Sequence, residues 1–267
     1  MRDGTLAVAY RAAGRPAVAW VWERSDGRLG ARIEAEDPEP AHDALRFLLA
    51  VDVDHGPFLR RARADPLLRE VAWRHAGLRP LRRATVAHAL VRALCGQVVA
   101  GGEAARIERA LLRRCTDSAG DLRVPPTAAD VAGLAPAEAV ACGLAARRAV
   151  ALVRVAREVP LERLRDLSGE ALERRVRRER GLGPWSLGVI GLYGLGRYEH
   201  GLVGDLGLKK LFAAERGRWP EDHETAELIA PYEEWAGLAS VYLLQHPLAT
   251  AHRTPTASRW RPRAHTG

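Results

Sequence analysis

Apolar positions in the first fifty residues come in short runs. Leu6-Ala7-Val8-Ala9-Tyr10 and Ala17-Val18-Ala19-Trp20-Val21-Trp22 are separated by Gly14-Arg15-Pro16. Leu29 to Ile33 forms a third run after Ser25-Asp26-Gly27. Short apolar runs bounded by turn residues predict strands and hairpins. Asp37-Pro38-Glu39-Pro40 breaks the pattern, and Ala44, Leu45, Leu48 and Leu49 then fall at helical spacing within 41–51. From His55 onward the strand signal almost disappears. Helical stripes between short polar or Gly/Pro breaks predict helices over 66–76, 85–98, 103–115, 145–159, 169–179, 184–195, 206–215 and 236–244. No constant period runs through them, which excludes a repeat solenoid. The chain is therefore expected to be α+β and mostly α. A small antiparallel β-rich domain occupies 1–54, a helical body 55–250, and a basic tail that reads as disordered 251–267.

Charge changes this picture. Of 267 residues, 41 are basic and 33 acidic, a formal net charge of +8, and 39 of the 41 are Arg. Arg suits phosphate because its planar fork bonds two oxygens at once. Residues 1–54 hold 7 Arg and 10 acids, a net of −3, so the remainder carries +11. Any polyanion surface belongs to the helical body, most densely at 174–180, where five Arg stand against one Glu. The three cysteines, Cys95, Cys115 and Cys142, match no zinc or iron–sulfur spacing and point to a reduced, cytoplasmic setting. The longest uncharged run, 181–196, has 16 residues and six glycines, too short to span a bilayer. A membrane partner is not expected. There is no P-loop, no metal-binding His pair and no complete nucleophile elbow.

Two segments carry candidate chemistry. In the first, an Arg-rich helix runs into Gly181-Leu182-Gly183, and Pro184 stands where a helix N1 proline belongs. Glycines let a backbone approach a phosphate, and free N–H groups at a helix start point at the anion. Such a grip reads backbone and not base sequence. It would take Gly181, Leu182, Gly183, Pro184, Arg177 and Arg178. A plain helix connection with a glycine C-cap fits the same residues. In the second, Asp205 heads an apolar-periodic helix at Gly204-Asp205-Leu206-Gly207-Leu208. It reads as an N-cap or as a carboxylate held ionised by helix-start amides, and one residue can be both.

Together these segments resemble the helix-hairpin-helix (HhH-GPD) DNA glycosylases, closest to the 3-methyladenine DNA glycosylase II (AlkA-like) branch. The resemblance covers about 55–246. Besides the two segments above, it rests on Gly77-Leu78-Arg79-Pro80, Leu90 to Val99, Gly143 to Ala149, and Trp235 to Leu244. It implies a helical HhH-GPD core of two helical subdomains behind the β-rich domain. The implied function is base excision: a monomer binds double-stranded DNA containing damaged bases, flips an alkylated or otherwise damaged purine and hydrolyses its N-glycosidic bond. Asp205 becomes the catalytic carboxylate, stabilising positive charge at the sugar. Trp185 stands where bifunctional relatives carry a Schiff-base lysine, which implies a monofunctional enzyme without strong lyase activity. The base pocket falls to Trp185, Val189, Leu206 and Leu244, less aromatic than the branch usually shows. The wedge that fills the hole left by the flipped base falls to Gln97 and Val98. No cofactor and no side-chain metal site are implied, beyond a monovalent cation on hairpin backbone carbonyls such as that of Leu182. The alternative is a non-catalytic helix-hairpin-helix module that binds distorted DNA.

Overall fold

The computed structural model describes residues 4–97 and 101–250. Val98 and the basic tail at 251–267 lie outside them. Three strands, β1 (Leu6–Ala12), β2 (Arg15–Glu23) and β3 (Leu29–Glu34), form an antiparallel sheet in sequence order. Leu6 faces Val21 and Val18 faces Glu34 in the two pairings. Ala13 and Gly14 turn the first hairpin, both at positive φ. Helix α1 (Pro38–Leu48) covers one sheet face, where Tyr10, Ala17, Ala19 and Val21 meet Ala41, Leu45 and Leu48. The expected break at 37–40 is instead the first turn of this helix. Proline is tolerated there because the first-turn N–H groups have no intrahelical acceptor.

The helical body follows. Its elements are α2 (Gly56–Ala64), α3 (Arg69–Arg74), α4 (Val86–Gly96), α5 (Gly101–Cys115), α6 (Ala128–Ala132), α7 (Pro136–Ala141), α8 (Ala146–Glu158) and α9 (Gly169–Arg177). They continue as α10 (Pro184–Val189), α11 (Leu206–Arg216), α12 (Ala236–Leu243) and α13 (Pro247–Thr250). A two-residue hairpin, β4 (Ser118–Ala119) and β5 (Leu122–Arg123), interrupts them. Three 3-10 segments, Leu161–Asp166, Asp222–Leu228 and Ala230–Trp235, complete the chain. Helix α4 is the axis of the body. Nine of its residues, Val86 through Val91 and Ala93 through Cys95, are buried. Its length is fixed at the start by Thr85, whose side chain accepts from the His88 N–H at 3.0 Å.

Sheet and body meet through buried charge. Arg82, 1% exposed, pairs with Asp52 at 2.7 Å and donates to the Tyr198 hydroxyl at 2.9 Å. His55 shares that hydroxyl at 2.9 Å. Burial, with Arg79 and Arg82 nearby, pushes His55 down to about 4. No helix among the described residues is long and apolar enough to cross a membrane.

Candidate active site

The hairpin between α9 and α10 is set by backbone chemistry. Gly181 has φ +93, and a Cβ there would lie 2.9 Å from that of Ala151. Gly183 is extended and caps α10, with Pro184 in the first turn and no side-chain cap. The N–H groups of Gly183, Trp185 and Ser186 meet no acceptor among the described residues. Unpaired N–H groups at a helix start can meet an anion. The Leu182 carbonyl is likewise without a donor among those residues, so it fits the cation-coordinating role. The Gly181 carbonyl already accepts from the Gln97 amide at 2.9 Å.

Helix α10 does not end at Val189 but widens into a π-helical stretch, Ile190–Leu195. Its glycines set its depth. A Cβ on Gly188 would lie 2.2 Å from the Gly201 carbonyl, and one on Gly194 2.7 Å from Ala89 of α4. The helix therefore packs backbone against backbone, with Trp185 facing the end of α4. There Gly96 leaves room for the indole: a Cβ at Gly96 would lie 2.5 Å from Trp185 Cη2.

Asp205 sits at the other side of that ring. It is the N-cap of α11, and its Oδ1 accepts the Gly207 N–H at 2.8 Å. Its Oδ2 accepts the Trp185 indole N–H at 3.0 Å. Capping and a fixed carboxylate are thus both present in one residue. The turn before it is pinned as well. Gly204 has φ +85, and its N–H donates at 2.8 Å to the hydroxyl of fully buried Thr225. Lys209 pairs with Asp222 against the same turn.

Other expected residues are distributed less simply. Leu244 packs on the Asp205 turn, since a Cβ on Gly207 would lie 2.3 Å from its Cδ2. Val189 is 2% exposed and belongs to the core, whereas Leu206, beside Asp205, is 55% exposed. Those two stand on different helices, Val189 at the end of α10 and buried, Leu206 at the start of α11 and facing out. Gln97 ends α4 and ties it to the hairpin, donating to the Gly181 carbonyl and to Ser186 Oγ, each at 2.9 Å. A wedge role for it competes with those bonds, and Val98 lies outside the described residues. A cavity of about 420 Å³ lies on the face of α10 turned away from Trp185, between Pro184, Leu187, His200, Gly201 and Val203.

The arginine cluster is more internally engaged than its composition implies. Arg174 pairs with Glu170 and Arg177 with Glu173, each one turn away. Arg175 and Arg154 both bind Glu179. Burial works to raise the Glu179 carboxyl, but the hydrogen bonds from Arg154 and Arg175 outweigh it and hold the group below the usual carboxylate range. Of the five arginines, Arg178 and Arg180 have no acidic partner among the described residues. Sequence reasoning missed Thr225, Tyr193 and Arg92. Tyr193 lies two turns beyond Trp185 on the same helix, and that spacing was its one available signal.

No protein-family profile matches the chain. It is 26% identical over 204 residues to a DNA-3-methyladenine glycosylase of Bacillus subtilis (strain 168), covering 72% of this chain and 67% of the relative. Among solved structures it is similar to a 3-methyladenine DNA-glycosylase from Archaeoglobus fulgidus. The TM-score is 0.79 at 19% identity, over 91% of this chain and 87% of the other. An 8-oxoguanine glycosylase/lyase from Clostridium acetobutylicum, in complex with double-stranded DNA, gives 0.76 at 16% identity, over 91% and 84%. At these identities the structural likeness establishes fold. A span of 91% exceeds everything from residue 55 onward, so the shared fold reaches into the N-terminal unit.

Proposed function

We propose that this chain, which has the fold of the helix-hairpin-helix DNA glycosylases, is a monofunctional DNA glycosylase of base excision repair acting on a damaged purine. One observation carries the reading. A carboxylate is held between a helix-start amide and the N–H of an indole 20 residues before it, and that indole follows a glycine hairpin whose amides have no acceptor among the described residues. In this reading Gly183, Trp185 and Ser186 hold a backbone phosphate through their N–H groups. Asp205, held in place by its two donors, faces the sugar of the flipped nucleotide. Positive charge grows at C1′ as the base leaves, and a preorganised carboxylate stabilises it. Each oxygen of Asp205 accepts one hydrogen bond and keeps a lone pair, enough to orient the attacking water. Trp185 occupies the position where a lyase would present an amine, so no Schiff base forms and the product is an intact abasic site. The accessory domain is 1–54 and the catalytic core 55–250. Hairpin, Trp185 and Asp205 belong to one chain, so a monomer suffices.

The test is release of free base from duplexes carrying alkylated, deaminated or oxidised purines. Asp205→Asn is expected to lose release by at least a hundredfold while binding lesion DNA as the wild type does. An Asn variant as fast as wild type overturns the mechanism. A wild type that binds DNA and releases nothing supports the non-catalytic module instead.

A further inference from the structure

A charged cluster lies beside Tyr193, eight residues beyond Trp185 on the same helical stretch, and the reaction described above leaves it unused. Tyr193 stands in the π-helical stretch, and the wider turn keeps it in line with Trp185 and Val189 instead of drifting round the helix. Its backbone carbonyl accepts the Arg83 N–H at 2.6 Å. Its hydroxyl bonds no protein atom among the described residues. On α4, Arg92 lies one turn before Gly96, the residue that meets the indole. Arg92 is one-third exposed, and its Nη1 donates to Glu108 at 3.2 Å. Buried Glu108 also takes Arg83 at 3.2 Å and His88 at 3.0 Å. Burial holds His88 toward its neutral form. Burial also pushes the Tyr193 phenol up; Asp205 pushes the same way, while Arg92 and Arg83 pull it down. The phenol is therefore a donor. Two guanidinium groups face Glu108, and Asp205 is a second carboxylate, acting on Tyr193; Arg83 Nε is buried without an acceptor.

We propose that Tyr193 and Arg92 are specificity-determining donors of the base pocket, selecting a neutral purine with carbonyl or ring-nitrogen acceptors over a cationic alkylated one. This rests on the glycosylase reading and names its substrate class. A cationic purine leaves as a neutral base and needs no donor to do so. A neutral purine leaves with the electron pair of the C1′–N9 bond, as an anion. Hydrogen bonds from a phenol and a guanidinium stabilise that anion where it forms. Water then supplies hydroxide to C1′ and its proton to the departed base, so the step balances without a further reactant.

The experiment compares single-turnover release of hypoxanthine and of 7-methylguanine from otherwise identical duplexes. The wild type is expected to favour hypoxanthine. The hypoxanthine-to-7-methylguanine rate ratio is expected to fall tenfold or more in both Tyr193→Phe and Arg92→Gln. Tyr193→Phe keeps the ring and its packing, so it carries the test even where Arg92→Gln loosens the Glu108 cluster. A wild-type ratio retained in Tyr193→Phe, or a wild type that favours 7-methylguanine, overturns this proposal alone. A wild type that releases neither base overturns the glycosylase reading with it.

Discussion

Gly96→Ala tests the site at its tightest point. The added Cβ would lie 2.5 Å from Trp185 Cη2 and 3.3 Å from Cζ2. Carbon atoms rest at about 3.5–4.0 Å, so the indole must retreat by roughly 1 Å or the end of α4 must move by as much. The ring has one polar anchor, its N–H on Asp205 Oδ2 at 3.0 Å. A shift of ~1 Å carries that bond beyond hydrogen-bonding range. A hydrogen bond to a charged group contributes about 1.5–3 kcal/mol, which is roughly 10- to 150-fold in rate if the bond positions the carboxylate in the transition state. Overpacking also costs about 1–3 kcal/mol of stability, so thermal melting is measured beside single-turnover base release. A double mutant separates the causes. Phe at 185 lacks both the N–H and the ring edge that meets Gly96. Gly96→Ala is therefore expected to slow the wild type by tenfold or more and to add nothing to Trp185→Phe. A Gly96→Ala enzyme within twofold of wild type refutes the reasoning, as does a double variant slowed by the full product of the single effects.

Two further outcomes follow from charge. Neutralising Arg178 and Arg180 together is expected to lower the slope of log affinity for duplex DNA against log salt by about 1–2, since each phosphate contact contributes about 0.9. Neutralising Arg174 and Arg177, already paired with Glu170 and Glu173, changes it less; equal changes would refute the division. In acid, burial works to raise Glu108, but the His88 hydrogen bond and the Arg83 and Arg92 charges draw it down to about 2. An unfolded glutamate titrates near ~4.3. Its stabilisation is therefore complete above that pH and is lost as pH falls toward 2. His55, pushed down to about 4, stabilises fully above ~6.5 and loses that as pH falls toward 4. Melting temperature against pH is expected to lose its lower limb in Glu108→Gln and to keep the limb set by His55. A Glu108→Gln protein with the wild-type acid limb sinks this account.

The long elements were legible because each carries its own period and its own punctuation. Helix α8 was expected at 145–159 and occupies Ala146–Glu158, and α11 begins at Leu206 behind its Asp205 cap as the spacing required. Pro38 and Pro40 were misread because a proline signals both the end of a pattern and the first turn of a new helix, and only the tertiary docking of Leu45 and Leu48 on the sheet decides. Helix α2, with Phe58 and Ala62 buried among arginines, has too few apolar positions to announce itself. The sequence also showed two glycines and, 22 residues after the second, an aspartate. It did not show that an indole bridges them, because that contact depends on the absence of a Cβ at Gly96, on another helix. Composition misled in one respect. Five arginines beside a hairpin read as a phosphate grip with Arg177 and Arg178 as its ligands, yet Glu170 and Glu173 on the same helix and Glu179 just past its end engage three of the five, Arg177 among them. Helical spacing predicts such pairs, so the periodicity that located the helix also held the information that most of its charge is already partnered. What is left over is small and local: Arg178 and Arg180 at the hairpin. A charge matters to recognition only after its intramolecular partners are subtracted, and in this chain the remainder falls at the hairpin.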